Sequence, residues 1–263
     1  METKLQPVTG NGPLRGFRNM LKIEASQWLN LKKLATKSLS WLLAVNFIVA
    51  MPLLVAPMVD PTNVVTLGMA SEIFIGIFSI VIAVGTVIVM QSSLVGEKQS
   101  GTAAWILTNP VTRTSVIMSK LVANTLGLFV VALGLQGVVG YMIMSSSLGY
   151  SLPVNAYLVV MGLQGLHMLF YLTLTLALGA FFNSRGPILG IAIMFAAIQD
   201  FLGGFVGGIL PWFPMILPNQ LNHISIAVNM GQSIPSVLPI VATTIYTLVF
   251  IGLAIWRFKR TEF

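Results

Sequence analysis

The chain consists of long apolar runs separated by short polar breaks. Runs broken by Pro, Gly, Asn or charged residues predict six membrane spans near residues 38–58, 67–95, 114–144, 156–182, 187–210 and 238–256. Each run reaches the roughly 20 residues that an α-helix needs to cross the hydrocarbon of a bilayer. The pattern therefore predicts an all-α, polytopic membrane protein with six transmembrane helices, held in one membrane domain over residues 37–263.

Composition supports this class. Hydrophobic residues make up 56% of the chain, charged residues make up 8%, and the mean hydropathy is +0.90, values that a soluble domain with a polar surface does not reach. The chain has no cysteine, which excludes disulfides, thiolate chemistry and Cys-based metal sites. The apolar run after the basic first 36 residues has spanning length and lacks a small-residue cleavage site, so we expect no removable signal peptide.

The basic residues are distributed unevenly along the chain. All 14 Lys and Arg residues fall before the first span, between the second and third spans or in the first turns of the third, between the fourth and fifth spans, or after the sixth. The positive-inside rule therefore predicts that both termini are cytoplasmic and that the number of spans is even. On this interpretation the net charge of +7 reflects topology, and we expect no nucleic-acid partner.

Residues 1–36 are predicted to form a cytoplasmic tail followed by an amphipathic interface helix. Phe17, Leu21, Trp28 and Leu31 recur at helical spacing opposite several basic residues. Such a helix lies in the inner headgroup region of a bilayer, with its Trp at the interface. The alternative is a soluble cytoplasmic helix that packs on a partner protein.

The sequence contains few groups that can do chemistry. His167 lies inside the fourth span, where we expect it to bond to a neighbouring helix, and His223 lies in the segment after the fifth span. No HExxH, GxSxG or GxxxxGK[ST] motif is present, so we expect no catalytic residue, no metal, no bound cofactor and no phosphate-binding loop. Any work driven by ATP must then come from a partner chain.

Two acidic residues fall inside predicted spans. Glu72 and Asp200 both lie in the outer half of the membrane, where an ionised carboxylate usually faces a bundle interior or an aqueous cavity. One interpretation makes them part of a translocation path for a polar or cationic substrate. The other places them near the interface, hydrated or hydrogen-bonded.

The fifth span ends in a glycine-rich stretch, FLGGFVGGIL. Its glycines are paired four residues apart: Gly203 with Gly207, and Gly204 with Gly208. Small residues at this spacing let helices approach closely, although a hinge is an alternative. The apolar, proline-rich segment that follows, residues 211–237, is predicted to lie at the outer face, and we call it the outer segment.

The break between the second and third spans is polar but carries its own apolar patch. In GEKQSGTAAWILTNPVTRTSVIMSK, residues 96–120, a short helix around Trp105 is predicted to end at Asn109 and Pro110, and Thr112 or Thr114 can cap the third span. The apolar patch suits the membrane interface or a groove on a cytoplasmic partner.

This segment resembles the signature of the ABC type-2 permeases, the membrane subunits of ATP-binding cassette exporters. The matching positions are Glu97, Gly101, Thr102, Leu107, Pro110, Val111, Arg113 and Lys120. The wider plan is also similar, with an interface helix, six spans, both ends inside and a long outer segment before the last span. The resemblance implies a permease domain over residues 37–263.

The resemblance also implies partners and site residues. The segment 97–113 would be a coupling segment that docks on a cytoplasmic ATPase subunit, with Trp105, Ile106 and Leu107 as the docking patch and Glu97 as a polar contact. The implied ATPase-coupling residues are Glu97, Gly101, Thr102, Trp105, Ile106, Leu107, Pro110 and Arg113. Arg185 is either a second, smaller contact or a topology determinant.

We therefore expect a permease subunit that pairs with a second permease chain, identical or different, in a prokaryotic plasma membrane. ATP and Mg²⁺ would be used by the ATPase subunit to export an amphipathic or hydrophobic compound, or an ion. A stand-alone secondary transporter or channel is the first alternative, although repeated halves with broken helices are not apparent. A membrane enzyme is the second, and the missing catalytic groups count against it.

Overall fold

The computed structural model describes residues 12–29, 45–60, 62–102, 108 and 110–261, and the regular secondary structure of this part of the chain is helical, without a β-strand. The all-α prediction is confirmed. The helices are α1 (Phe17–Leu29), α2 (Val45–Val59), α3 (Leu67–Met90), α4 (Val95–Gln99), α5 (Arg113–Leu148), α6 (Val154–Phe181), α7 (Arg185–Gly207), α8 (Gln220–Asn229) and α9 (Leu238–Lys259).

Five helical stretches in the described residues are long and apolar enough to cross a membrane. They are α3 continued through a turn into α4, followed by α5, α6, α7 and α9. These stretches agree with the second to sixth predicted spans. The first predicted span, 38–58, is described only from Val45, and α2 is a shorter apolar helix over that part.

Threonine side chains cap the beginnings of two of these helices. Thr66 Oγ1 accepts a hydrogen bond from the Met69 N–H at 3.3 Å, and Thr112 Oγ1 accepts one from the Ser115 N–H at 3.2 Å. Of the two caps predicted for the third span, Thr112 is therefore the one used. Within α5, residues Phe129–Leu135 form a π-helical segment.

The centre of the bundle is α6, which packs against α3, α8 and α9. Aromatic and aliphatic side chains fill the core around it; they include Phe74, Phe78, Met168, Leu172, Leu176 and Phe258. The outward faces of α7 and α9 carry exposed Phe201, Phe205 and Leu248, an arrangement suited to a surrounding of lipid or another apolar surface.

The outer segment folds back on the bundle. It contains a short 3₁₀ turn, Pro214–Ile216, and then α8, which packs against α6 and α3. A Cβ at Gly207 would lie 2.7 Å from Pro214 Cγ, and one at Gly203 would lie 3.5 Å from Leu217 Cδ1. Within the described part of the chain, Gly203 and Gly207 therefore pack on the outer segment. A Cβ at Gly204 has open space, and one at Gly208 meets only the backbone of its own helix.

Candidate coupling site

One end of the bundle is marked by basic side chains, and we call it the basic end. It is formed by α4, the first turns of α5, and the last turns of α6 and α9, while α1 packs along α5. The coupling segment, 97–113, begins within α4 and ends at the first residue of α5. Its described residues in these two helices therefore lie at the basic end.

The structure describes both flanks of the coupling segment: the first flank is residues 97–102, and the second flank is residues 110–113. The docking patch of Trp105, Ile106 and Leu107 lies outside the described residues. Gly101 is exposed and has a positive φ of 70°, a backbone conformation that favours glycine. Thr102 and Pro110 are also exposed, and the Thr102 hydroxyl shares a hydrogen bond with Ser100.

Three charged side chains meet below the first flank, and we call them the charged triad. Lys120 Nζ on α5 donates to Glu24 Oε1 on α1 and to Glu97 Oε1 on α4, each at 2.7 Å. The side chain of Lys120 is 2% exposed, that of Glu24 is 7% exposed and that of Glu97 is 20% exposed. Buried charges need such partners, so the triad fixes the relative positions of α1, α4 and α5. Oε1 of Glu97 is consequently engaged in a contact within the chain.

Trp28 provides a second link between α1 and α5. Its ring lies against Gly127, where a Cβ would be 2.1 Å from the nearest ring atom, so only glycine permits this approach. Its Nε1–H donates to Asn124 Oδ1 at 3.2 Å. The helix predicted as an interface helix is therefore packed along α5, with Met20 and Glu24 on its buried side.

Lys98 attaches the same flank to the end of α6. Its Nζ donates to the Ala180 carbonyl at 2.9 Å and to the Phe182 carbonyl at 3.2 Å. The neighbouring Gln99 Nε2 donates to the Asn183 carbonyl at 2.9 Å. The last carbonyls of a helix have no partner within the helix, and a cation stabilises them there.

The second flank is attached to α9 and to the segment before α1. Arg113 donates to the Lys259 carbonyl at 2.5 Å and the Thr261 carbonyl at 2.7 Å, at the end of α9. The Thr112 N–H donates to the Arg15 carbonyl at 3.1 Å, and the Thr112 hydroxyl donates to the Pro13 carbonyl at 2.6 Å. The first flank is therefore hydrogen-bonded to the end of α6 and the second flank to the end of α9.

A polar cavity of about 280 Å³ lies beside the charged triad. Its lining includes Glu24, Trp28, Ser92, Ser93, Lys120 and Asn124. Among the described residues, Glu97 Oε2 is buried without a hydrogen-bond partner. The cavity is thus bordered by residues of α1, α4 and α5, next to the charged triad.

The two acids predicted inside spans are exposed on the chain. Glu72 lies on an outward face of α3, and Asp200 on α7 accepts a hydrogen bond from the Asn219 side-chain amide in the outer segment. Neither is therefore buried in an interior path within this chain. Arg185 begins α7 and is exposed, and His223 is exposed on α8.

His167 differs from its predicted environment. Its side chain is 3% exposed, and neither ring nitrogen has a hydrogen-bond partner among the described residues, so the expected bond to a neighbouring helix is absent there. Its ring makes an edge contact with Tyr171 at 5.1 Å between centroids. The spacing of Gln164, His167 and Tyr171 was a visible signal of a polar helix face that the sequence interpretation did not use.

Sequence reasoning also missed Glu24, whose carboxylate pairs with Lys120. It lies 96 positions from Lys120 along the chain, and its role depends on how α1 is rotated against α5. An acidic residue on the otherwise apolar face of α1 was the available signal.

The structure is a bundle of apolar helices with a polar segment whose two flanks are bonded to helices at one end. This is the architecture of a multi-pass membrane permease. A family profile described as ABC-2 family transporter protein matches residues 16–263, and the chain belongs to this family. The resemblance to the ABC type-2 permeases is confirmed. The chain is also similar to "Uncharacterized transmembrane protein YxlG" of Bacillus subtilis (strain 168), with 26% identity over 206 residues, 75% of this chain and 76% of the relative.

Proposed function

We propose that this chain is the membrane subunit of an ATP-driven exporter in a prokaryotic plasma membrane. A separate ATPase subunit would hydrolyse ATP with Mg²⁺, and this chain would contribute no catalytic group. The observation that carries the proposal is the attachment of both flanks of the coupling segment to α1, α5, α6 and α9. If the middle of the segment is displaced, these bonds transmit the displacement to several helices at once.

The proposed topology has six spans, with the first completed by residues before Val45, and both termini in the cytoplasm. It is supported by the position of Lys98 and Arg113 at one end of the bundle, beside the basic end of α9. The absence of cysteine from the chain allows a direct test. In intact cells, an impermeant maleimide should label Thr62→Cys and spare Thr102→Cys; both positions are exposed. The reverse pattern would overturn the orientation.

The docking role of the coupling segment is tested by Trp105→Asp combined with Leu107→Asp. Charges in an apolar docking patch should abolish co-purification of the ATPase subunit, while gel filtration shows that the permease remains folded. Leu14→Asp is the matched control, since Leu14 is an exposed apolar residue just before α1. Unchanged association of the double variant would refute docking through this patch.

Three further measurements test this proposal and its alternatives. Substrate movement in liposomes that hold this chain alone, without ATP, would favour a stand-alone transporter or channel. Native mass spectrometry of the purified complex would distinguish two copies of this chain from a pair of different permeases. If Glu72→Gln with Asp200→Asn leaves transport unchanged, these acids are not part of the translocation path.

A further inference from the structure

A column of polar side chains runs along one face of α6 inside the apolar bundle. Gln164, His167 and Tyr171 are spaced three and four residues apart, so they share a face over about 10 Å of helix. Their exposed fractions are 0%, 3% and 1%. His167 is the fourteenth residue of this 28-residue helix, so the column reaches the middle of the span.

The outer segment supplies a second polar face. Asn222, Ser225 and Asn229 on α8 are also spaced three and four residues apart. Gln164 Nε2 donates to Asn222 Oδ1 at 3.1 Å and to Ser225 Oγ at 3.3 Å, and Asn229 Nδ2 donates to Ser71 Oγ on α3 at 2.7 Å. Thus α8 directs its polar face into the bundle, between α6 and α3.

A third helix joins the column near Tyr171. Gln199 Nε2 on α7 donates to the Tyr171 hydroxyl at 2.5 Å, and Gln199 Oε1 accepts from the Asn219 N–H at 3.0 Å. Asn219 also donates to exposed Asp200. The set of Gln164, His167, Tyr171, Gln199, Asn219, Asn222, Ser225 and Asn229 is called the polar seam below. It reaches the surface at Asp200 and at half-buried Asn222.

Several atoms of the polar seam are buried without a partner among the described residues. They are Gln164 Oε1, both ring nitrogens of His167, Asn219 Oδ1 and Asn229 Oδ1. The orientation of each amide is fixed by its partner, because the Asp200 carboxylate only accepts, and the hydroxyls of Ser225 and Ser71 already donate to the Leu221 and Leu67 carbonyls. In a membrane interior such groups are strongly disfavoured, so a polar guest that bonds to them is favoured.

The unpaired atoms also indicate the chemistry of the guest. Three of them are amide oxygens, which accept hydrogen bonds only, and the neutral imidazole of His167 offers one acceptor and one donor, so four of the five unpaired atoms are acceptors. We propose that the polar seam is a water-accessible site that binds the ammonium or hydroxyl group of the transported compound. The site extends from the polar face of α8 to His167 in the middle of α6. Only the transported identity of this guest rests on the proposed export function.

Single cysteines test access to the seam, since the chain has none of its own. In purified protein, His167→Cys and Ser225→Cys should react with 2-aminoethyl methanethiosulfonate. Met168→Cys is the control at the same depth, because Met168 is fully buried in the apolar core beside His167. Ser225→Cys keeps the size of the side chain, so it reports on the seam even if the histidine variant is unstable. Equal, negligible reaction at all three positions would show that the seam is dry and would overturn the proposal.

Protection against this reagent tests the guest. Dodecylammonium should slow modification at either seam cysteine, whereas dodecyltrimethylammonium, which has the same charge but no N–H donor, should protect less by about two- to tenfold, the range of one net hydrogen bond. Equal protection by both amphiphiles, or none by either, would overturn the assignment of a donor group. These measurements need no ATPase subunit, so a failure of the proposed export function is observed separately.

Discussion

The charged triad makes a quantitative prediction for Lys120→Met. This change removes the cation and retains an unbranched side chain, leaving Glu24 and Glu97 facing each other. Both contacts to Nζ are 2.7 Å, so the two carboxylate oxygens lie within twice that distance of each other. Two like charges at about 5 Å repel by roughly 3 kcal/mol at an effective dielectric constant near 20. Breaking a buried ion pair costs about 3–5 kcal/mol in other proteins, so we expect a loss of about 3 kcal/mol here.

The assay is thermal unfolding of the purified chain in detergent, followed by tryptophan fluorescence. Lys120→Met should melt well below the parent chain, and Lys120→Arg, which keeps the charge, should melt closer to it. Adding Glu24→Gln and Glu97→Gln to Lys120→Met should restore most of the loss, because no uncompensated charge then stays buried. If Lys120→Met melts like the parent, or if the triple variant recovers nothing, the triad does not hold α1, α4 and α5 together.

Three smaller substitutions test packing and capping by the same melting assay or by hydrogen exchange. Gly207→Ala presses a methyl group against the outer segment and should cost about 1–3 kcal/mol, whereas Gly204→Ala, with open space at its Cβ, should not destabilise. Thr112→Val removes the cap of α5 and should cost about 1 kcal/mol, and equal melting of the control Thr114→Val would contradict the cap. Gly127→Ala should displace the indole ring of α1 and speed amide exchange in that helix; unchanged exchange would argue against this packing.

The long elements were predictable from the sequence because a bilayer requires long apolar runs. The predicted span 114–144 and the observed α5, Arg113–Leu148, differ by a few residues at the ends, as expected when polar residues mark the boundaries. The cap at Thr112 was also predictable, since it depends only on neighbouring residues. Span length depends on the surrounding bilayer, and a cap depends on neighbouring residues. Both can therefore be predicted from the pattern of residues along the chain.

Contacts between distant segments were not predictable in the same way. Sequence spacing could not pair Glu24 with Lys120, because that contact depends on the rotation of α1 about its own axis. The sequence left Glu72 and Asp200 open between an interior path and a hydrated or hydrogen-bonded position near the interface. Both are exposed, whereas neutral Gln164 is buried. The charge of the two acids suggested a role in the translocation path. Burial depends instead on which face of a helix packs against a neighbouring helix.

The π-helical segment at Phe129–Leu135 changes how α5 is compared with other chains. Its wider turns accommodate extra residues, and one residue added to an α-helix rotates every later side chain by about 100°. The halves of α5 on either side are therefore out of phase, and one hydrophobic stripe does not run through the whole span. A relative that keeps regular α-turns here should align with a one-residue gap inside this span. Such a gap would mark the extra residue that the π-helical segment accommodates while the two halves of the span keep the same contacts.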